Sequence, residues 1–370
     1  MAMPPIPQNS DHPRAASVII VGAGPAGIGL ARTLKKQGIG DVVLLEAREV
    51  GASFRAWPDD TRFLTPSFPA NAYGCPDLNS VAACHSPGGD LGSEHPAGEE
   101  YAGWLARLAA GANLNIVSPV EVRNVRTAGS EFELSTSDGM WTCDTLVWAT
   151  GEFFFPNRAP FAGAELGIHY TGISSWAQIG GQHPVIIGGA ESGIDAACHL
   201  IRLGKTVTVL DKAGAWIPEQ GDPSQVLAPQ TRSRLREALA SGRLDLIPDI
   251  TVRGIQAEPE GFRILSEDGR AFLTDSPPIL CTGFQGGASQ IEELWDWKHG
   301  QIQLTGHDES TRTPGLFLVG PQVRHPGEIF CYIYKFRTRF PVVAERIAKR
   351  SEFRVHAESP SRCFSERVPV

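Results

Sequence analysis

The chain has 370 residues, 42% hydrophobic and 20% charged, with a formal net charge of −8. That length accommodates two domains with ample core, and the composition excludes fibrous and disordered classes. The acidic balance argues against nucleic-acid backbones and anionic membranes as partners.

Residues 1–16 are expected to form a disordered tail. Its opening, MAMPPIPQNSDHPR, is proline-rich without an apolar core, so it reads as neither signal peptide nor membrane span. No later apolar run reaches the roughly 18 residues that a span needs. A cytoplasmic location is therefore expected.

The first organised stretch is VIIVGAGPAGI at 18–28. A β-branched run predicts a buried parallel strand, the glycines a tight turn, and the apolar-periodic segment beyond a helix. Gly22, Gly24 and Gly27 fill the pattern G-x-G-x-x-G, in which a helix N-terminus and free backbone N–H groups face a pyrophosphate. A second strand, DVVLLE, ends on Glu46, in register to accept ribose hydroxyls. From Gly51 to about Pro96 runs a long segment rich in Pro, Gly and aromatics, predicted to cover a cofactor or substrate. AGEEYAGWLARLAAG predicts a helix, short strands follow at about 114–142, and TLVWATGEF is a further buried strand ending on Thr150-Gly151.

VIIGGAESGID at 185–195 repeats the first unit, with Gly188, Ala190 and Gly193 at the three positions. A methyl group thus stands where a pyrophosphate comes closest, which predicts a looser or shifted phosphate site. The following strand, KTVTVLDK, ends on Asp211, again in register for a ribose. Asp211 repels a 2′-phosphate while Lys212 attracts one, so NADH and NADPH both stay open. A helix at about 228–241 and strands at about 244–281 lead to PPILCTGF; GLFLVG and PQVRHPGE then open a long amphipathic helix predicted over about 327–349. Pro326 and Gly327 suit its start. Ile329, Ile333, Phe336, Phe340 and Val343 fall at helical spacing and read as core. His325 and Glu328 read either as proton donors or as helix-terminus residues. The seven cysteines (75, 84, 143, 198, 281, 331 and 363) form neither a C-x-x-C nor a metal-ligand spacing, so no metal is expected.

The order is nested: one nucleotide fold begins, a second is inserted, and the first resumes, with the similar crossings WATGEF and LCTGF at the two boundaries. This plan resembles the two-dinucleotide-binding-domain flavoproteins, and GAGPAG with Glu46, WATG, SGID and TPGLFLVG resemble that superfamily's parts. The resemblance implies an α/β protein with two Rossmann-like domains on parallel sheets. Residues 17–152 and 283–350 would bind FAD, 153–282 would bind NADPH or NADH, and 351–370 would be a tail. Residues expected to contact the cofactors are Gly22, Gly24, Pro25, Ala26, Gly27, Glu46, Ala47, Phe54, Thr65, Val122, Thr150, Gly151, Gly188, Ala190, Glu191, Ser192, Gly193, Asp211, Lys212, Gly283 and Gly320. Arg55, His325 and Glu328 are the candidate catalytic residues.

Within the superfamily the chain resembles flavin-containing monooxygenases most. Gly51-Ala52-Ser53-Phe54 is similar to their G-G-x-W, with the second glycine and the tryptophan replaced. Phe161-Ala162-Gly163 begins their F-x-G-x-x-x-H, but His169 comes two residues late. The disulfide reductases' cysteine pair is absent, and Ala26 stands where the bacillithiol-reductase type has a cysteine. The resemblance implies a small-molecule substrate and dioxygen as co-substrate. In the long segment after Gly51, Trp57, Phe63, Phe68 and Tyr73 then read either as candidates to exclude water from an oxygenating site or as loop packing, and Arg55 and Arg62 either as holders of a phosphate or anionic substrate or as solvated charges. The alternatives are a reductase or oxidase without oxygen insertion and a non-catalytic flavin or nucleotide sensor. Oligomeric state is not legible in the sequence.

Overall fold

The structure is a computed structural model describing residues 13–68, 76–82, 85–214, 216, 221, 222 and 224–358, the last eight by backbone alone. Tyr73, Cys75, Cys84 and Cys363 lie outside the described residues.

Two parallel sheets carry the chain, as expected of an α/β protein with two Rossmann-like domains. In the first, strands run in the order Asn115–Val117, Val42–Leu45, Arg14–Val21, Gly139–Trp148. The long strand Gly139–Trp148 has two partners on its far edge: Glu131–Thr136 pairs antiparallel with its first half and Leu316–Leu318 parallel with its second. In the second sheet the order is Leu244–Ile247, Val207–Leu210, Val185–Ile187, Ile279–Leu280, Ile168–His169, all parallel. Their central strands are buried on both faces, which explains runs such as VIIV and VII that do not alternate. An antiparallel sheet of Val252–Glu258, Gly261–Ser266 and Ala271–Thr274 is appended to the second.

Three boundaries differ from the sequence reading. The first strand begins at Arg14, inside the segment read as tail, and the last helix, Phe340–Glu358, runs past 350. Pro326 and Gly327 do not start a helix: they form the turn of a small hairpin pairing Arg324–His325 with Glu328–Ile329, with Gly327 at φ +79°. A Pro-Gly pair suits a turn as well as a helix start, and the left-handed glycine selects the turn. Helical chain resumes at Ile333. Ile333, Phe336, Phe340 and Val343 are buried as read, whereas Ile329 belongs to the hairpin.

The crossings between domains lie side by side. Asn157 N–H donates to Gly283 O (3.0 Å), Gln285 N–H to Phe155 O (2.8 Å) and Gly287 N–H to Gly151 O (2.8 Å). Gly151 and Gly283 both take positive φ, +68° and +81°. The two domains are thus joined by a two-stranded ribbon.

Candidate active site

The first glycine turn is shaped by three different constraints. A side chain on Gly22 would press on the Ala149 carbonyl, and one on Gly27 would overlap the Gly22 carbonyl oxygen. These two glycines serve close packing. Gly24 is different: it precedes helix Pro25–Lys36 at φ −84°, and a Cβ there would meet nothing within 4 Å. Neither backbone nor neighbours require glycine there, and the space in front of the helix start is left open. The helix has no side-chain cap, so its first-turn N–H groups face the cleft without a side-chain acceptor. Glu46 braces the turn, accepting Ala23 N–H at 2.7 Å and Arg48 N–H at 2.9 Å. Burial raises its pKa against those hydrogen bonds.

The inserted domain repeats this frame. A side chain on Gly188 would strike the Cys281 carbonyl, and one on Gly193 the Gly188 carbonyl. Helix Glu191–Arg202 also starts without a side-chain cap, and Ala190 at φ −79°, ψ −165° copies the backbone of Gly24 at φ −84°, ψ −172°. Asp211 accepts Gly189 N–H (2.7 Å), Ala213 N–H (2.8 Å) and Gly214 N–H (2.7 Å). Trp216, which the sequence reading passed over, donates from Nε1 to Gly189 O at 2.8 Å and pins the turn from outside. Glu191 is tied to the start of the next helix, Pro229–Ala240, by Ala228 N–H just before it and Thr231 Oγ1 in its first turn.

Both turns open into one cleft of about 890 Å³, within the range of small-molecule sites. Of the expected cofactor residues, Gly22, Gly24, Pro25, Ala26, Glu46, Ala47, Phe54, Thr65, Val122, Thr150, Gly151, Ala190, Glu191, Ser192 and Asp211 line it; Gly27, Gly188, Gly193, Lys212, Gly283 and Gly320 do not. The glycines among the latter act one layer back, as the contacts above show for Gly27, Gly188 and Gly193. Lys212 is exposed outside the cleft.

Part of the long segment 51–96 forms a wall, as read: Trp57, Thr61–Thr65 and Asn79 line the cleft. Phe54, Trp57 and Phe63 in this wall pack ring on ring with one another and with Tyr101. Phe68 is 46% exposed and does not join them. From the crossings come Phe153, Phe154, Phe155 and Phe284, and from the C-terminal part Cys331, Tyr332, Ile333 and Phe336.

Two polar features of the cleft went unread in the sequence. Glu152, directly after the Thr150-Gly151 crossing, lines the cleft with no hydrogen bond or ion pair to its carboxyl among the described residues. Burial raises its pKa, opposed by the Arg324 guanidinium. Neighbouring Thr150 Oγ1 is buried and has no hydrogen-bond partner among the described residues. The second feature spans the domains. Thr61 Oγ1, from the first domain, lies 3.2 Å from Tyr170 OH and 3.3 Å from Asp195 Oδ2 in the inserted one. Asp195 also binds Arg234 Nη1 at 2.5 Å. Burial raises its pKa, but His199 and Arg234 outweigh burial and hold it below the ordinary range.

The three candidate catalytic residues do not line the cleft. His325 Nε2 sits 2.5 Å from buried Asp308, which Arg339 also binds at 2.9 Å; together they clamp the hairpin. Glu328 is exposed on that hairpin, and Arg55 pairs with Glu49 and Glu99. Phe161-Ala162-Gly163 docks the antiparallel sheet, since Gly163 packs on the Ile255 backbone; His169 Nε2 reaches Gly283 O at 3.2 Å on the ribbon.

Comparison with known proteins names the frame. The profile of the pyridine nucleotide-disulphide oxidoreductases matches residues 19–320. The chain belongs to that family. Its members bind FAD and use NAD(P)H, and this chain's Gly24, uncapped helix starts and orphaned Thr150 hydroxyl fit such ligands. A ferredoxin–NADP reductase of Granulibacter bethesdensis is 25% identical over 341 residues, 87% of either chain. Two solved structures share the fold: the bacillithiol disulfide reductase of Staphylococcus aureus (TM-score 0.75, 18% identity, 91% of this chain and 99% of that one) and a flavin-containing monooxygenase from Stenotrophomonas maltophilia (0.72, 20%, 91% and 99%). Among the described residues no helix is long and apolar enough to cross a membrane, and no His, Cys, Asp and Glu cluster could hold a metal.

Proposed function

We propose that the protein is a monooxygenase that draws electrons from NAD(P)H through FAD and oxygenates a small molecule in the aromatic part of the cleft. The observation that carries this reading is the cleft itself: both glycine turns open into it, and Phe153, Phe154, Phe155, Phe284, Tyr332 and Phe336 line it as well. Residues Gly22–Ala26 and Glu46 would hold FAD, and Ala190–Ser192 and Asp211 the nicotinamide dinucleotide. FAD bound there supplies hydride acceptance and subsequent reaction with oxygen. The aromatic wall limits water at the reacting end, and Glu152 offers a carboxyl able to hold or release a proton.

Thiol chemistry has little support. The sequence contains no C-x-x-C, and Cys331, which alone among the described cysteines lines the cleft, has its thiol pKa raised by burial. A reductase that passes electrons without inserting oxygen is the second reading, supported by the name of the Granulibacter relative. Turnover with NAD(P)H and isotopically labelled dioxygen, over a panel of sulfides, amines and ketones, separates the two. Label in an organic product is expected. Nucleotide oxidation that never labels a product would favour the reductase.

A further inference from the structure

The identity of the reductant can be read from the inserted domain, given the reading that this domain holds the nicotinamide dinucleotide. Asp211 lines the cleft, and its carboxylate is fixed by three backbone N–H donors, two on Oδ1 and one on Oδ2. It cannot swing aside without releasing the glycine turn at Gly189 and the loop at Ala213 and Gly214. Glu46 stands at the equivalent place in the first domain, bound to its own turn in the same way. A carboxylate so placed accepts ribose hydroxyls and repels a 2′-phosphate.

A cation could reverse that preference, but among the described residues of the inserted domain no lysine or arginine lines the cleft. Lys212 is exposed and does not line the cleft, and from Ala213 to Thr231 the sequence contains no lysine or arginine. Arg232 is turned to the Leu227 carbonyl (3.0 Å). Arg234 is held by Asp195. The arginines that do line the cleft, Arg48 and Arg62, belong to the first domain: one stacks on Phe154 at 4.1 Å and the other folds onto the carbonyls of Asp59 and Thr61. We infer that the protein is specific for NADH over NADPH, with Asp211 as the discriminating residue. The Granulibacter relative, by contrast, is named for NADP.

Equilibrium titration of the oxidised holoenzyme with NAD⁺ and with NADP⁺, followed by calorimetry, tests this without relying on turnover. NAD⁺ should bind at least tenfold more tightly, Lys212→Ala should leave that ratio unchanged, and Asp211→Asn should narrow it to within a few-fold. Should Asp211→Asn fail to fold, Ala213→Arg keeps the acid, places a cation beside it, and should selectively strengthen NADP⁺ binding. NADP⁺ binding as tightly as NAD⁺ overturns the specificity alone. Binding of neither nucleotide overturns it together with the assignment of the inserted domain.

Discussion

The two glycine turns have nearly superimposable logic and differ at one atom group. In each, the first glycine packs on the end of the crossing strand, the last on the first glycine's carbonyl, and an acid from the next strand holds the intervening N–H. At the middle position the first domain keeps glycine and the second carries alanine, on the same backbone. Since the protein demands glycine at neither place, the difference falls to the proposed ligands: the bare turn would admit FAD in close, lasting contact, while the methylated one would keep the nicotinamide dinucleotide at a distance suited to exchange.

The strongest way to break this comparison is to attack the shared frame. Gly27→Val and Gly193→Val each drive a side chain into a carbonyl oxygen within the same turn, and each should cost more than about 3 kcal/mol in denaturant unfolding. A loss in only one domain would show that the frames are not equivalent. Gly22→Val belongs with these, because φ +108° and the Ala149 carbonyl oppose it before any phosphate is involved.

The middle position should behave differently. Gly24→Ala should leave apoprotein stability within about 1 kcal/mol yet reduce FAD retention at least tenfold, as measured by flavin content after dialysis. Ala190→Gly should strengthen nicotinamide dinucleotide binding several-fold in the same calorimetric assay. If Gly24→Ala keeps its flavin, the methyl does not separate the two turns.

The smallest effect lies at the crossing between them. Glu152 has a raised pKa in the folded chain, so it disfavours folding progressively as pH rises from the unfolded carboxyl pKa through the folded one. Glu152→Gln should therefore stabilise the protein at pH 7 by on the order of 1 kcal/mol. The gain should vanish at pH values below the unfolded pKa, where both forms are neutral. Thermal melts across pH check this; an equal gain at all pH values would assign the effect to packing.

The frame was legible in the sequence because strand, glycine spacing and terminal acid are local and each has a single physical cause. The pairing of crossings was legible too, from the echo of WATGEF in LCTGF. What escaped depends on residues distant in sequence. Thr61 meets Asp195 across the domains, Trp216 folds back on Gly189, and the clamp of His325 on Asp308 makes a hairpin where Pro-Gly allowed a helix. Glu152 was visible beside the crossing, but its lack of a partner exists only in the folded chain.

Anaerobic mixing of the purified, flavin-loaded protein with NADH tests most directly whether one cleft brings both dinucleotides together. Rapid bleaching of the oxidised flavin's visible absorption is the predicted result. A flavin that stays oxidised with NADH and with NADPH alike would contradict the account.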